Sequence, residues 1–421
     1  MGRGIMPKSF FPYPATTVPS FLTTLPVKTK IIFDPMKLLF NLVAVQPIHS
    51  AKFHGGGSYG EVLFWALVKR FHTTIQIFCA YDSQKYLDSK IQEACKELAI
   101  PLCDIRENSP QSIIDANAID TFYTPLFSLE KKWAVQVKRF VFTWHGVRAL
   151  EMNYSPQGIS FAKTFSQKAE ALVRYRKNWK ELFYKPKYDD LANRIAAGNV
   201  QTMTVSEHSK ASIQTFFPQL MRTDIPVFYS PMQEVNPQGE LPDGVLPQNY
   251  FLLTSGARWE KNNLRAVRAF DSLVDSIPET PYRVVVTGVT NEKVYRRSLK
   301  HPEKFIFLGY VETETLELLH QNAYAFIFPS LNEGFGYPPM QSMRYGVPVA
   351  ASGTSSIPEV CGDAAIYFDP YSESEIRNRF AQLLNPAIYN RYAERARIRY
   401  AQVHERQVAD LEKAVDFIVG N

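Results

Sequence analysis

The stretch from Ser330 to Pro348 reads SLNEGFGYPPMQSMRYGVP. Glu333 stands ahead of two glycines, Gly334 and Gly336, with Phe335 between them. Pro338 and Pro339 suit the first turn of a helix, where N–H groups have no partner within the helix. The preceding FIFPS reads as the end of a buried strand. Strand, loop and helix thus follow one another. The glycines let backbone approach a ligand closely. The helix start turns its free amides and its dipole toward the loop, which suits an anion such as a diphosphate. A carboxylate at Glu333 can accept hydrogen bonds from sugar hydroxyls. A capped turn carrying a merely solvated carboxylate would explain the same letters.

Four other stretches carry chemistry. SGARWEKNNLRAVRAF (255–270) lies at a strand-to-helix junction, so Arg258 and Lys261 can reach an anion over the same edge. Two fixed cations stabilise charge on a departing diphosphate; two solvated helix-start cations are the plain alternative. HGGGSYGE (54–61) places Gly55, Gly56 and Gly57 between a strand and a helix, where backbone can cradle phosphate or come close to a sugar. It is not GxGxxG, and a plain flexible loop accounts for it too. FTWHGVR (142–148) puts His145 at the end of a strand, able to bond a sugar hydroxyl or to serve as a core histidine. RYRKNWKELFYKPKY (174–188) mixes cations with aromatics. That mixture suits a helix lying on anionic lipid, or simply a solvated basic helix. Stacking on nucleic acid has no recognised module to support it.

These stretches need a scaffold that brings strand ends to one edge. KIIFD (30–34), TIQIFCA (74–80), AIDTFYTPL, RFVFTWHG (139–146) and QTMTV read as strands alternating with helical segments, and Ser206 reads as an N-cap. PMQEVNPQGELPDGVLPQ (231–248), rich in proline, reads as a linker. The alternation then restarts with YFLLTSG, YRVVVTG, KFIFLG, YAFIFPS and VPVAAS, and the Arg- and Glu-rich last thirty residues look helical. Strand–helix alternation predicts parallel sheets with crossover helices. In such sheets ligands bind beyond the carboxyl ends of the strands.

The bulk numbers agree. A chain of 421 residues with 45 % apolar and 21 % charged residues fits two folded domains and excludes a disordered chain. The net charge, 47 minus 41, is +6, which favours anionic partners without specifying nucleic acid. Cys79, Cys95, Cys103 and Cys361 have no zinc-like spacing and read as core thiols of a reducing compartment. No apolar run approaches the roughly 18 residues of a spanning helix. The opening MGRGIMPKSFFPYPATTVPSF has no continuous apolar core and reads as an extension, not a signal peptide.

EGFGYPPMQSMRYGVPVAAS resembles the donor-site signature of retaining GT-B glycosyltransferases, the glycosyl transferases group 1 family. FLGYV, TLELLHQNA, YAFIFPSLNEGFG and SSIPEVCGDAAIYFDP extend the likeness over roughly 250–370. VSEHSK and the linker match more weakly, and the N-terminal half matches in layout more than in letters. The resemblance implies an α/β GT-B fold, two Rossmann-like doubly wound domains facing across a cleft. It suggests an N-terminal extension (1–28), an acceptor domain (29–230), the linker (231–248), a nucleotide-sugar domain (249–400) and a last helix (401–421) crossing back.

The resemblance also implies roles. Glu333 falls at the position near the transferred sugar. Gln341 falls where the family usually has a Glu that bonds the ribose. Gln keeps an acceptor oxygen and adds a donor, but loses charge-assisted strength of about 1 kcal/mol. Gln341→Glu is therefore expected to be tolerated or to improve donor binding. Arg258 and Lys261 would hold the leaving diphosphate, although Arg258 is nearer to the lysine than is usual. Gly55, Gly56 and Gly57 would touch the diphosphate across the cleft. Gly334, Phe335 and Gly336 would complete the donor loop, and Val311 would cradle the base through its backbone. His145 would lie near the donor sugar, with Gly146 where the family often has Asp. Glu359 matches a family position, as a ligand or as a cap.

The implied enzyme is mannosyltransferase-like and moves a sugar from a nucleoside-diphosphate sugar to a carbohydrate or lipid-linked acceptor, with retention and without metal or other cofactor. The expected setting is cytoplasmic polysaccharide or glycoconjugate assembly, with 174–188 meeting the inner face of a membrane, and no nucleic acid. The oligomeric state is not legible. Two rivals stay open: a nucleotide-sugar-binding protein without turnover, suggested by Gln341, and a GT-B nucleotide-sugar epimerase. A nicotinamide dehydrogenase is disfavoured, because no GxGxxG follows the first strand.

Overall fold

A computed structural model describes residues 35–47, 55–128, 130–152, 154–162, 164–176 and 185–421. Residues Met1–Pro35 and Met36–Asn421 are separate units. The expected extension, the strand at 30–34, His54, and 177–184 of the basic stretch lie outside the described residues.

Among the described residues the second unit holds two parallel sheets of six strands. The N-terminal lobe has β1 Lys37–Asn41, β2 Gln76–Tyr81, β3 Leu102–Asp104, β4 Thr121–Thr124, β5 Arg139–Trp144 and β6 Val200–Thr204. The C-terminal lobe has β7 Tyr250–Leu253, β8 Arg283–Val286, β9 Phe305–Phe307, β10 Ala325–Phe328, β11 Val349–Ser352 and β12 Ala365–Phe368. The orders are β3-β2-β1-β4-β5-β6 and β12-β11-β10-β7-β8-β9. Renumbered from its own first strand, the second lobe has the order of the first. Each sheet reverses beside its first strand, between β1 and β4 and between β7 and β10. A crevice opens at such a reversal, beyond the carboxyl ends of the strands.

The strands form because they are short apolar runs covered on both faces. YFLL, AFIF and VAAS are buried at every position, the mark of a parallel sheet between helix layers. One apolar cluster lies on the outer side of each lobe, around Phe122, Phe140 and Phe142 in one and Phe251, Phe270 and Phe380 in the other. A third runs continuously from Leu38, Phe40 and Phe64 to Leu252, Phe328 and Met340. The lobes therefore share an inner core.

The segment 231–248 is without helix or strand, as its prolines suggest. The last helix runs unbroken from Pro386 to Val419, straight through the boundary drawn at residue 400. Its C-terminal turns lie on the other lobe. Arg70 pairs with Glu412 at 3.0 Å and with Asp416 at 2.8 Å, and the Arg139 guanidinium donates to the carbonyls of Phe417 and Ile418.

Candidate functional site

The loop after β10 turns sharply at Gly336, whose φ of +130° is open only to glycine. The helix Tyr337–Arg344 follows at once, with its prolines in the first turn. Glu333 is thereby fixed at the carboxyl edge of the sheet, 8 % exposed. Its backbone N–H donates to Ser355 Oγ at 2.9 Å, and its carbonyl accepts from Ser356 Oγ at 3.0 Å.

The matching loop after β7 delivers Lys261. Asn262, in the left-handed region at φ 59°, donates from Nδ2 to the carbonyls of Pro329 (3.0 Å) and Pro370 (2.7 Å). These bonds tie the turn Trp259–Lys261 to the end of β10. Lys261 Nζ then lies 2.6 Å from Glu333 Oε1, and the lysine is only 6 % exposed. Ser330 Oγ donates to the same carboxylate oxygen at 2.5 Å. Burial would raise the Glu333 carboxyl, but the charges of Lys261 and Arg148 and the hydrogen bonds outweigh it and hold it at about 2. Burial lowers the Lys261 ammonium, with Glu333 opposing. The pair is ionic, and Lys261 also sits 5.3 Å from the centre of the Phe328 ring.

Arg258 and Glu260 complete the rim. Arg258 Nη2 lies 2.8 Å from Glu260 Oε1. From the opposite lobe, Arg148 lies 3.7 Å from both Glu260 Oε1 and Glu333 Oε2. Arg258, Lys261 and Glu333 thus converge as their spacing suggests. Arg148 was missed, because nothing in FTWHGVR says that its third residue past the histidine reaches across a cleft.

The two lobes meet at His145 and Gly334. A Cβ at Gly334 would lie 2.2 Å from the His145 carbonyl oxygen. The Gly334 carbonyl accepts from Ser206 Oγ at 2.7 Å and Ser209 Oγ at 3.2 Å. His145 Nε2 lies 2.8 Å from the Pro125 carbonyl, and Tyr59 meets the imidazole edge-to-face at 4.7 Å. A carbonyl only accepts, so Nε2 carries the proton and, in the neutral ring, Nδ1 is the acceptor nitrogen.

Glu359 resolves as a cap. Its carboxylate accepts from the backbone N–H groups of Glu207 and His208, each at 2.9 Å, at the start of the helix Glu207–Phe216 in the other lobe. Ser206 caps the same helix, accepting from the Ser209 N–H. Alongside, Asn332 donates to Glu151 at 2.6 Å, and Ser212 and His208 hold the same carboxylate. Burial raises the Glu151 carboxyl, yet these partners bring it to about 2.

Gly55, Gly56 and Gly57 form the first turn of the helix Gly55–Phe71, so the helix begins before Ser58. A Cβ at Gly55 would lie 3.9 Å from the Tyr337 ring. Two helix starts, one from each lobe, therefore face the same gap. Phe335 points inward, packed on Tyr229 at 5.3 Å and on Tyr337 at 5.7 Å; only its backbone faces the loop. Val311 lies between β9 and the helix Thr313–Asn322, its side chain packed on the core.

Gln341 does not stand alone. Its Nε2 donates to Glu317 Oε1 at 2.7 Å, and Tyr345 donates to Glu317 Oε2 at 2.9 Å. Burial raises the Glu317 carboxyl, against those two bonds. A glutamate at 341 would confront this carboxylate. The expectation that Gln341→Glu is tolerated or improves donor binding meets this contact, in which position 341 uses its N–H₂ as a donor to Glu317.

Comparison with known proteins bears on the fold and the family. The family model "Glycosyl transferases group 1" matches residues 244–399. The chain is 44 % identical over 78 residues to the Escherichia coli O-antigen chain mannosyltransferase B, covering 18 % of this chain and 20 % of that one. It is 32 % identical over 133 residues to the Salmonella typhimurium O-antigen chain mannosyltransferase RfbU, covering 30 % and 36 %. The chain thus spans about a fifth to a third of the length of these relatives. Among solved structures, WaaG, a glycosyltransferase involved in lipopolysaccharide biosynthesis, aligns with a TM-score of 0.61 at 15 % identity, over 91 % of this chain and 100 % of that one. Anabaena HepE in complex with UDP and glucose aligns with a TM-score of 0.60 at 14 % identity, over 91 % and 99 %. The fold is GT-B, two Rossmann-like lobes facing across a cleft. The family match lies wholly in the C-terminal lobe and the start of the last helix, residues 244–399.

Proposed function

We propose that the protein is a retaining glycosyltransferase that moves a sugar, mannose by its relatives, from a nucleoside-diphosphate sugar to an acceptor hydroxyl in O-antigen-type polysaccharide assembly. One observation carries this reading: Arg258, Lys261 and Glu333 share the crevice at the β7/β10 reversal, below the start of the helix Tyr337–Arg344. The cations and the helix-start amides suit a diphosphate. The relatives are O-antigen mannosyltransferases, and HepE binds UDP.

The C1–O bond to the diphosphate breaks, and its electron pair goes to the phosphate oxygen held by Lys261 and Arg258. The acceptor oxygen bonds to C1 from the same face. Its proton passes to that phosphate oxygen, so charge and atoms balance. Glu333 accepts from sugar hydroxyls, and His145 stands beside them as a polar neighbour of the sugar or acceptor. The leaving group is stabilised by side-chain cations and amides, without metal.

The acceptor is a carbohydrate or lipid-linked glycan on the N-terminal lobe, and the work is done at the cytoplasmic face of a membrane. Among the described residues no helix is long and apolar enough to cross one. The helix Phe165–Arg176, which leads into the basic stretch, exposes Phe165, Leu172 and Val173, which favours contact with a lipid surface. Incubation with GDP-mannose, other nucleotide sugars and candidate acceptors, followed by NMR of the product anomer, tests the reading. An α-linked product from an α-linked donor is expected. Inverted product, isomerised donor sugar, or binding without product would each refute it.

A further inference from the structure

Arg148 is an N-terminal-lobe residue placed among C-terminal-lobe charges. It opens the short helix Arg148–Glu151, three residues beyond His145. Its guanidinium stands 3.7 Å from Glu260 Oε1 and from Glu333 Oε2, beyond hydrogen-bond length. Among the described residues it makes no hydrogen bond, and its Nε is buried without a partner. Buried donors left unpaired are rare and call for an acceptor.

The neighbouring carboxylates cannot become that acceptor cheaply. Glu333 Oε1 already receives Lys261 and Ser330, and Glu260 Oε1 receives both Nε and Nη2 of Arg258. Three cations, Arg148, Arg258 and Lys261, face two carboxylates, Glu260 and Glu333, which leaves one positive charge over. A planar fork with open donors beside excess positive charge fits an oxyanion with several oxygens, above all a phosphate.

Resting on the proposed donor site, we propose that Arg148 is a catalytic residue supplied across the cleft: its guanidinium grips the diphosphate of the donor opposite Lys261 and stays with it as it leaves. Because Arg148 and Lys261 belong to different lobes, the diphosphate ties the lobes together.

The test is calorimetric titration of the full chain and of Arg148→Ala and Arg148→Lys with inorganic pyrophosphate, UDP and GDP. Arg148→Ala should lose affinity for pyrophosphate by about tenfold or more, and Arg148→Lys, a point charge without the fork, should fall between. A role confined to holding the lobes would lower the melting temperature and leave these affinities alone. Affinities of both variants within about twofold of the wild type would overturn the assignment and leave the donor site standing. If Arg148→Ala does not fold, Arg148→Lys decides by the same criterion. A wild-type chain that binds none of the three probes would overturn the donor site and the assignment together.

Discussion

Gly334 carries no side chain because the carbonyl oxygen of His145 lies where one would begin, 2.2 Å from the position of a Cβ. The obstacle is backbone and cannot rotate away. Gly334→Ala must push the Glu333 loop back or part the lobes, losing the bonds from Ser206 and Ser209. Displacement on this scale should cost transfer roughly a hundredfold. Hydrogen exchange at residues 206–209 should rise in the variant. Unchanged exchange with unchanged turnover would show that the lobes need not meet here.

Lys261 and Glu333 test structure and chemistry separately. Removing one partner of a buried pair strands the other charge, at about 3–5 kcal/mol of stability. Lys261→Ala should also weaken transfer by about 2 kcal/mol or more. The double variant Lys261→Met, Glu333→Gln should regain much of the stability and none of the transfer. Wild-type turnover in Lys261→Ala would dismiss the leaving-group role.

The Gln341–Glu317 contact makes an exchange prediction. Gln341→Glu sets two carboxylates at 2.7 Å, so one must stay protonated. Its melting temperature should fall as pH rises from 5 to 8, relative to the wild type. Adding Glu317→Gln restores one donor and one carboxylate, and should recover stability and donor affinity. If Gln341→Glu alone matches the wild type across this range, Glu317 does not set the residue at 341.

Acid should loosen the contact between the lobes. Glu333 and Glu151 are both held at about 2, below the ordinary 4.5. A carboxyl lowered in the folded state contributes stability that is whole above the unfolded value and fades as pH falls from about 4.5 toward 2. Both groups lie where the lobes touch, so melting temperature should drop through that window. Glu151→Gln should flatten the drop; an identical profile would remove Glu151 from the linkage.

Much of this was legible in the letters. Glu333, Gly336 and the two prolines announced their loop because strand end, left-handed turn and helix start are each local. Lys261 was legible for the same reason, since a cation at a strand–helix junction lies at the sheet's edge. The strand Leu102–Asp104 was not, being three residues at the rim without a full apolar run. Nor was Lys37–Asn41, which lies beyond the run at 30–34 and is buried along four of its five residues. Arg148, Glu151 and Asn332 were invisible as a group, because their partners lie across a cleft and more than a hundred residues away for most pairs. Gln341 was visible but its partner was not, since Glu317 sits on another helix and leaves no trace in the signature.

The central claim is that the C-terminal lobe grips a diphosphate. Thermal shift of the wild type and Lys261→Ala against nucleosides, nucleoside monophosphates, diphosphates and nucleoside-diphosphate sugars tests it most directly. Ligands that bind the folded state raise its melting temperature. The account predicts a rise of several degrees with diphosphates of one base and their sugars, little with the monophosphate, and none in Lys261→Ala. Equal shifts from nucleoside and diphosphate, or no shift from any, would contradict it.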